Sequence, residues 1–342
     1  PGLVKVKPHY DLYLKYSKLL QRIYKRYSDN VEPFGMDECW ISLPYDEDDA
    51  VSVAEEIRQT VKDETGLTVS IGASFSKALA KLGSDMKKPD ALTVLRKSDF
   101  KEKCWDLPVS DLLYVGPRTT KKLNNIAITT IGQLANAPSD IIARKFGKNG
   151  LMVQAFANGT DCSAVAPVDY SPAPKSIGHG ATCTRDLEDN YSVWLALDEL
   201  AQDVSHRMIA SECKTKAVHL YVKDNSFMYH EYVAPIHYPT QSAAIIAQAA
   251  YELFLLYYRW EKPVRALTIT ASKLQDEKLP DQLDMFGDYL IFDKRNRLDR
   301  AIDDIRNRFG KDAIFSACHC RRRTDLATDK CETVKMPGVM YH

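Results

Sequence analysis

The sequence lacks any apolar run of the ~18 to 20 residues that a membrane-spanning helix requires, and no signal peptide opens it. A transmembrane helix is excluded and a cytoplasmic location is expected. Net charge is also missing, with 46 Lys and Arg against 46 Asp and Glu. Bulk electrostatics therefore cannot hold nucleic acid, and any grip on phosphate must come from local groups. There is no disulfide framework: the eight cysteines, at 39, 104, 162, 183, 213, 318, 320 and 331, are scattered and read as reduced thiols. Only Cys318-His319-Cys320 invites a metal reading, and it lacks the second ligand pair of a zinc site, so no metal is assigned to it. What the chain does have is material to fold. At 342 residues, 45% hydrophobic and 27% charged, it suits two to four globular domains and is not largely disordered.

The most deliberate stretch is PFGMDECWISL, residues 33 to 43, where Asp37 and Glu38 sit between two short apolar runs that read as the strands of a hairpin. Asp-Glu pairs also occur at 63-64, 198-199 and 276-277, in polar or helical surroundings where a solvated face explains them. Asp37 and Glu38 are instead bracketed by Val31, Phe34, Met36, Cys39, Trp40, Ile41 and Leu43. Carboxylates beside a core need a cation.

Around this hairpin the pattern predicts an α+β layer domain, a sheet with helices on one face. Residues 8 to 27 repeat apolar and aromatic side chains at helical spacing, and 46 to 65 form a second helix with an acidic first turn, stopped by Gly66. A strand at 67 to 73, a helix at 77 to 86 and a strand at 91 to 95 follow. Four lysines fall between 77 and 88; most suit a solvated face, but Lys88 precedes Pro89, which ends the helix and leaves a loop cation suited to a polyphosphate.

From Trp105 to about Pro167 short helices are broken by Gly and Pro. Tyr114-Val115-Gly116-Pro117-Arg118 and Lys145-Phe146-Gly147-Lys148-Asn149-Gly150 are each a tight Gly turn between helices. Either alone reads as a helix with a Gly C-cap. Two in tandem form a helix-hairpin-helix pattern, whose backbone amides hold a phosphate without reading a base. PVDYSPAP, with three prolines between 167 and 174, is expected to be a tether. Beyond it the order β-α-β-β-α-β is the ferredoxin-like split βαβ arrangement. Its charges over 175 to 275 are ten basic and eleven acidic, so phosphate binding would rest on exposed strand positions such as Thr182, Thr184 and Arg185. In the following polar loop Leu283, Met285 and Phe286 stand among acids and prolines. They either cap the preceding domain or form a linear anchor for a partner's pocket. Residues 293 to 309 form a charged helix whose stripe of Leu298, Ile302, Ile305 and Phe309 is expected to pack.

Taken in order, these features resemble the Y-family translesion DNA polymerases of the UmuC/DinB type. The acidic hairpin resembles that family's S-x-D-E palm motif. SIGASFSKALAKLGSDMKKP resembles its S-x-G-I-x-x-N-K-x-x-A-K…K-P segment, the paired hairpins its thumb, and KSIGHGATCTRDL the opening strand of its little finger. Gln282-Leu283-Asp284-Met285-Phe286 is similar to the Q-L-x-L-F peptide that holds the bacterial sliding clamp. The resemblance runs from about Pro1 to Cys318 and implies an incomplete palm over 1-104, a thumb over 105-166, a linker over 167-175, a little finger over 176-275 and a clamp-binding loop with a C-terminal helix and tail over 276-342. It implies error-prone, template-directed nucleotidyl transfer by a monomer acting on primer-template DNA and dNTP in DNA repair, damage tolerance and the SOS response. Two Mg²⁺ ions would be bound, Asp37 bridging both and Glu38 holding the one at the primer. Lys88, with Lys81 as the weaker candidate, would contact the triphosphate; Gly116, Arg118, Gly147, Lys148 and Gly150 would grip the duplex; Gln282 to Phe286 would bind the clamp.

Three departures are tolerable: Gly35 stands where the family has Ser, Ser76 where it has Asn, and Arg118 at the second Gly of the first hairpin. A larger one is the family's first palm strand, with another metal-binding aspartate, and its small fingers domain, both of which would lie before Pro1. The expectation is therefore a fragment that does not extend primers as it stands. A non-catalytic, clamp-tethered DNA-binding module is the competing reading. A cyclase-type nucleotidyl enzyme would share the carboxylates but has no use for tandem DNA hairpins.

Overall fold

In the computed structural model the described residues are 2–4, 6, 8–170, 172–280, 289–310 and 313–319, and they divide into two compact units, Pro1–Pro172 and one beginning at Ala173. The first unit opens with the amphipathic helix α1 (Tyr10–Tyr24), followed by β1 (Val31–Pro33) and β2 (Cys39–Ile41), antiparallel with Val31 opposite Ile41. α2 (Glu47–Thr65) has three acids in its first turn and ends on Gly66, whose φ of 71° is the left-handed conformation a C-cap favours. β3 (Ile71–Ser74) and β4 (Leu92–Leu95) pair in parallel across the connecting helix α3 (Lys77–Met86), which Ser76 caps through its hydroxyl.

The one sheet anticipated from the strand pattern is thus two two-stranded pieces among the described residues. No ladder joins them there; instead the Trp40 indole donates to the Lys77 carbonyl, 2.9 Å, tying β2 to the start of α3. β3 and α3 meet through glycines. A Cβ on Gly72 would lie 1.9 Å from the Ala80 carbonyl oxygen, and one on Gly83 would lie 3.3 Å from the Gly72 Cα. Only glycine permits that approach.

α4 (Phe100–Cys104), α5 (Pro117–Asn124), α6 (Ile131–Asn136) and α7 (Ser139–Asn158) complete this unit. α5 starts with Pro117 behind Gly116, and α6 has a reciprocal capping box between Thr130 and Gln133. α7 breaks at Gly147, φ 63° and ψ −152°, so it is two helical segments about a tight turn. The helices share one core with α3 and β4, in which Leu79, Leu82, Leu95, Cys104, Ile131, Ile142 and Phe156 are buried.

The second unit runs β5 (Ser176–Leu187), α8 (Asn190–Ala210), β6 (Cys213–Asp224), β7 (Tyr229–Thr240), α9 (Ala243–Tyr257), β8 (Val264–Ser272), β9 (Gln275–Asp276) and α10 (Tyr289–Phe309). The sheet order is β5-β8-β6-β7 with every neighbour antiparallel, and β9 adds to β6. β5 and β6 therefore run parallel with β8 between them, a split βαβ. Val218, Leu220 and Val222 on β6, with Leu267 and Ile269 on β8, are fully buried against α8 and α9. The opposite face carries alternating polar side chains that no helix among the described residues covers.

α10 corrects the packing expectation. Leu298 and Phe309 are 59% and 74% exposed, while Asp303 is buried. The helix docks at its start through Phe292, packed on the core 5.1 Å from Tyr238, and beyond that through polar groups: Asn296 accepts from Thr240 at 2.7 Å, Asp299 accepts from Ser242, His206 pairs with Asp303 at 2.6 Å and Arg306 donates to Gln202 at 2.7 Å. The apolar stripe is too short of facing hydrophobics to be the buried side.

Candidate active site

The acidic turn lies between the ends of β1 and β2. Pro33 pairs with Cys39, and the Phe34 amide donates to the Glu38 carbonyl at 2.8 Å, closing a loop of Gly35, Met36 and Asp37. Gly35 has φ 98°, which gives the departure from serine a backbone reason. Asp37 is exposed and Glu38 half-buried. An aromatic frame holds the turn: Phe34 lies 4.6 Å from Trp40 and 6.4 Å from Tyr114, and Lys77 Nζ stands 4.4 Å over the Trp40 ring. Behind it, Cys39 is kept a thiol, its pKa pushed up to about 12 by burial and then by the Glu38 charge.

From α3 a chain of alternating charges reaches this turn. Lys81 Nζ lies 3.1 Å from Glu38 and also bonds Asp85, four residues on along α3; Lys88 Nζ in turn lies 2.7 Å from Asp85. Burial disfavours the Lys81 ammonium, but its hydrogen bonds to Asp85 and Glu38 outweigh that and hold its pKa above the ordinary lysine value. Asp85, whose pKa burial alone would raise, is brought below the ordinary carboxylate value by Lys81 and Lys88. Lys88 is half exposed and pairs with Asp85, so it can swing to another anion. The adjoining Asp90 is pinned to α2 by Arg58 and by Lys62 at 2.8 Å, which fixes the loop after Pro89.

The structure thus brings Glu38, Lys81 and Lys88 into one network with Asp37 at its open edge. Sequence reasoning missed one member of this network, Asp85, and one acid near it, Glu32. Asp85 could have been found from its helical spacing to Lys81. Glu32, which accepts from Lys77 at 2.6 Å and from the Ala166 amide at 2.7 Å, had no local signal. The donor set is all oxygen, adjacent and partly exposed, which fits a hard divalent cation, and the Lys81 ammonium already stands against Glu38 as a cation would.

Gly116 and Arg118 are exposed at the start of α5, and Gly147 and Lys148 at the break in α7. Gly150 is half-buried, and a Cβ there would lie 2.4 Å from the Phe146 Cβ, so its glycine has a packing reason. In the second unit Thr182 and Thr184 are exposed on β5 either side of buried Cys183, with Arg185 next to them. On the same strand Gly178 and Gly180 leave room for the Thr270 and Thr268 hydroxyls, which Cβ atoms would meet at 2.4 and 2.0 Å. Gln282, Leu283, Asp284, Met285 and Phe286 lie outside the described residues.

Comparison with known proteins decides the lineage. The impB/mucB/samB family model matches residues 1–85 and the model of that family's C-terminal domain matches residues 174–285. DNA polymerase IV of Acetivibrio thermocellus is 44% identical over 313 residues, covering 91% of this chain and 78% of that protein. The chain belongs to the Y family of DNA polymerases. A second relative, DNA polymerase IV of Moorella thermoacetica, is 33% identical over 93% of this chain and 79% of its own length. Among solved structures, the Y-family DNA polymerase chimera Dbh-Dpo4(243-245)-Dbh aligns with TM-score 0.70 at 16% identity over 81% of this chain and 80% of that one. The insertion ternary complex of Dbh DNA polymerase aligns with TM-score 0.52 at 15% identity over 80% and 79%. As a Y-family member the chain is a DNA-directed, translesion DNA polymerase. No helix among the described residues is long and apolar enough to cross a membrane.

Proposed function

We propose that this Y-family polymerase carries out error-prone nucleotidyl transfer at the Asp37–Glu38 turn, in DNA damage tolerance and the SOS response, as a monomer tethered to the sliding clamp. The observation that carries the reading is the charge network from Glu38 through Lys81 and Asp85 to Lys88. It sets two carboxylates beside two lysines, the complement of a metal-bound triphosphate.

Asp37 and Glu38 would hold the divalent metal ions, both carboxylates being offered by the turn between β1 and β2. When bound, Mg²⁺ supplies Lewis-acid polarisation of the transferred phosphoryl and lowers the pKa of the attacking hydroxyl. Lys88 contacts the triphosphate of the incoming nucleotide. Lys81 holds Glu38 in place and offers the triphosphate a second cation. The amides behind Gly116 and Gly147, with Arg118, Lys148 and Gly150, hold duplex phosphates. Thr182, Thr184 and Arg185 add backbone contacts from β5, and Gln282 to Phe286 insert into a pocket of the clamp.

The test is Asp37→Asn in a polymerase preparation that extends primers past an abasic site with Mg²⁺. Synthesis should fall by ~100-fold or more, while duplex affinity stays within about twofold. Equal loss of both would make Asp37 structural and overturn the assignment.

A further inference from the structure

In the second unit three side chains from distant parts of the chain converge on α8. Asp198 comes from the helix itself, and Cys318 and His319 from a 3-10 turn at Ala317–His319; one ligand atom of each lies within 4.8 Å of the others. Among the described residues this is the one such group of His, Cys and acidic side chains. His319 Nε2 lies 2.8 Å from Asp198 Oδ2, and the two side chains are only 13% and 11% exposed. A carboxylate this far from water needs a positive partner.

The surroundings hold the donors in place. Gln202 donates to Asp198 Oδ2 at 2.7 Å and accepts from Arg306 at 2.7 Å, and Arg306 also donates to the Ile314 carbonyl at 2.9 Å. Tyr191 donates to the Cys318 carbonyl at 3.4 Å. Such outer partners are what fix the orientation of metal ligands. Beside Asp198 lies a cavity of about 180 Å³ lined also by Asp299, Asp303 and His206, roomy and polar enough to hold water.

The donor chemistry narrows the ligand. Magnesium and calcium take oxygen donors, whereas a carboxylate, an imidazole and a thiolate together suit a borderline cation of the zinc class. Around tetrahedral zinc such donors stand ~3.3 to 3.6 Å apart. The His319–Asp198 pair has only to open by about half an ångström.

We propose that Asp198, Cys318 and His319 bind one zinc-class divalent ion, with a water from the adjacent cavity as fourth ligand, fastening the 317–319 turn to α8. Binding releases the Cys318 thiol proton, and the imidazole proton moves to the ring nitrogen away from the metal. This inference stands apart from the polymerase site, in a different unit.

The experiment titrates the metal-stripped full chain with Co²⁺ and then with competing Zn²⁺, read by absorption. One equivalent should give a thiolate-to-cobalt charge-transfer band with the intense visible bands of four-coordinate cobalt, and Zn²⁺ should bleach both. Cys318→Ser should remove the charge-transfer band, and Asp198→Asn should weaken binding by at least ~10-fold, with circular dichroism unchanged. If Asp198→Asn fails to fold, His319→Gln on the peripheral turn gives the same readout. A weak six-coordinate spectrum, a band that survives Cys318→Ser, or unchanged affinity in the other variants would overturn the site.

Discussion

Lys81 Nζ lies 3.1 Å from Glu38 Oε1, so α3 reaches across to the acidic turn through one half-buried cation. The same ammonium bonds Asp85, which makes it the hub that joins the acidic turn to the charges of α3. Removing it isolates two carboxylates.

Lys81→Met should therefore destabilise the chain by ~0.5 to 1 kcal/mol, the scale of a partly exposed ion pair. The pH window follows from the directions of the shifts. Lys81, raised in the fold, contributes fully below the ordinary 10.5 and loses that contribution as pH rises through its higher folded value. Asp85, lowered in the fold, contributes above the ordinary 3.8 and loses it as pH falls through its lower folded value. Urea denaturation at pH 5, 7 and 9 should give the same difference between wild type and variant at all three. A difference that changes sign or vanishes within that range would contradict the network.

The hairpin and its acids were legible because Asp37 and Glu38 interrupt apolar strands, and Lys88 because Pro89 follows it. The Lys81–Glu38 contact was not legible, since nothing in the sequence fixes how α3 leans on β2; that lean depends on Trp40 reaching the Lys77 carbonyl. The stripe on α10 misled because helical periodicity reports an apolar face, not whether anything faces it. Here Asn296, Asp299 and Asp303 take the buried side by bonding the start of α9 and the flank of α8. Cys318-His319-Cys320 looked incomplete as a metal motif for the same reason: Asp198 is brought to it by tertiary packing alone.

Gly72→Ala should be among the most damaging single-methyl changes in the molecule. The new Cβ would meet backbone at 1.9 Å (Ala80 oxygen) and 2.5 Å (Ser84 nitrogen), and backbone cannot rotate away. Separation of β3 from α3 should cost ~3 kcal/mol or more by chemical denaturation. Gly116→Ala, with open space around its Cβ, is the control and should cost less than ~1 kcal/mol. Similar losses at both positions would refute the close-approach argument.

Leu283→Ala with Phe286→Ala should abolish association with the sliding clamp in a pull-down or by surface plasmon resonance. Two buried anchors of this size carry ~2 kcal/mol or more each in a linear-peptide interface. Primer-template affinity should not change. Undiminished clamp binding would remove the anchor from the reading.

The helical hairpins make a prediction that depends on salt. Arg118 and Lys148 are exposed beside Gly116 at the start of α5 and Gly147 at the break in α7. If each side chain neutralises one phosphate, the slope of log affinity against log salt should fall in magnitude by ~0.9 for Arg118→Ala, and by ~1.8 for the double variant with Lys148→Ala. The loss should be the same on any duplex sequence, because phosphate contacts position without specifying. Gly147→Ala should act differently: with φ at 63° an alanine strains the turn, costing ~1 kcal/mol of stability and moving the amides themselves. It should weaken binding without changing the salt slope, since no cation is lost. Fluorescence anisotropy on a labelled duplex between about 50 and 200 mM salt separates the two cases, and a slope unchanged in the double variant would take both hairpins out of the DNA interface.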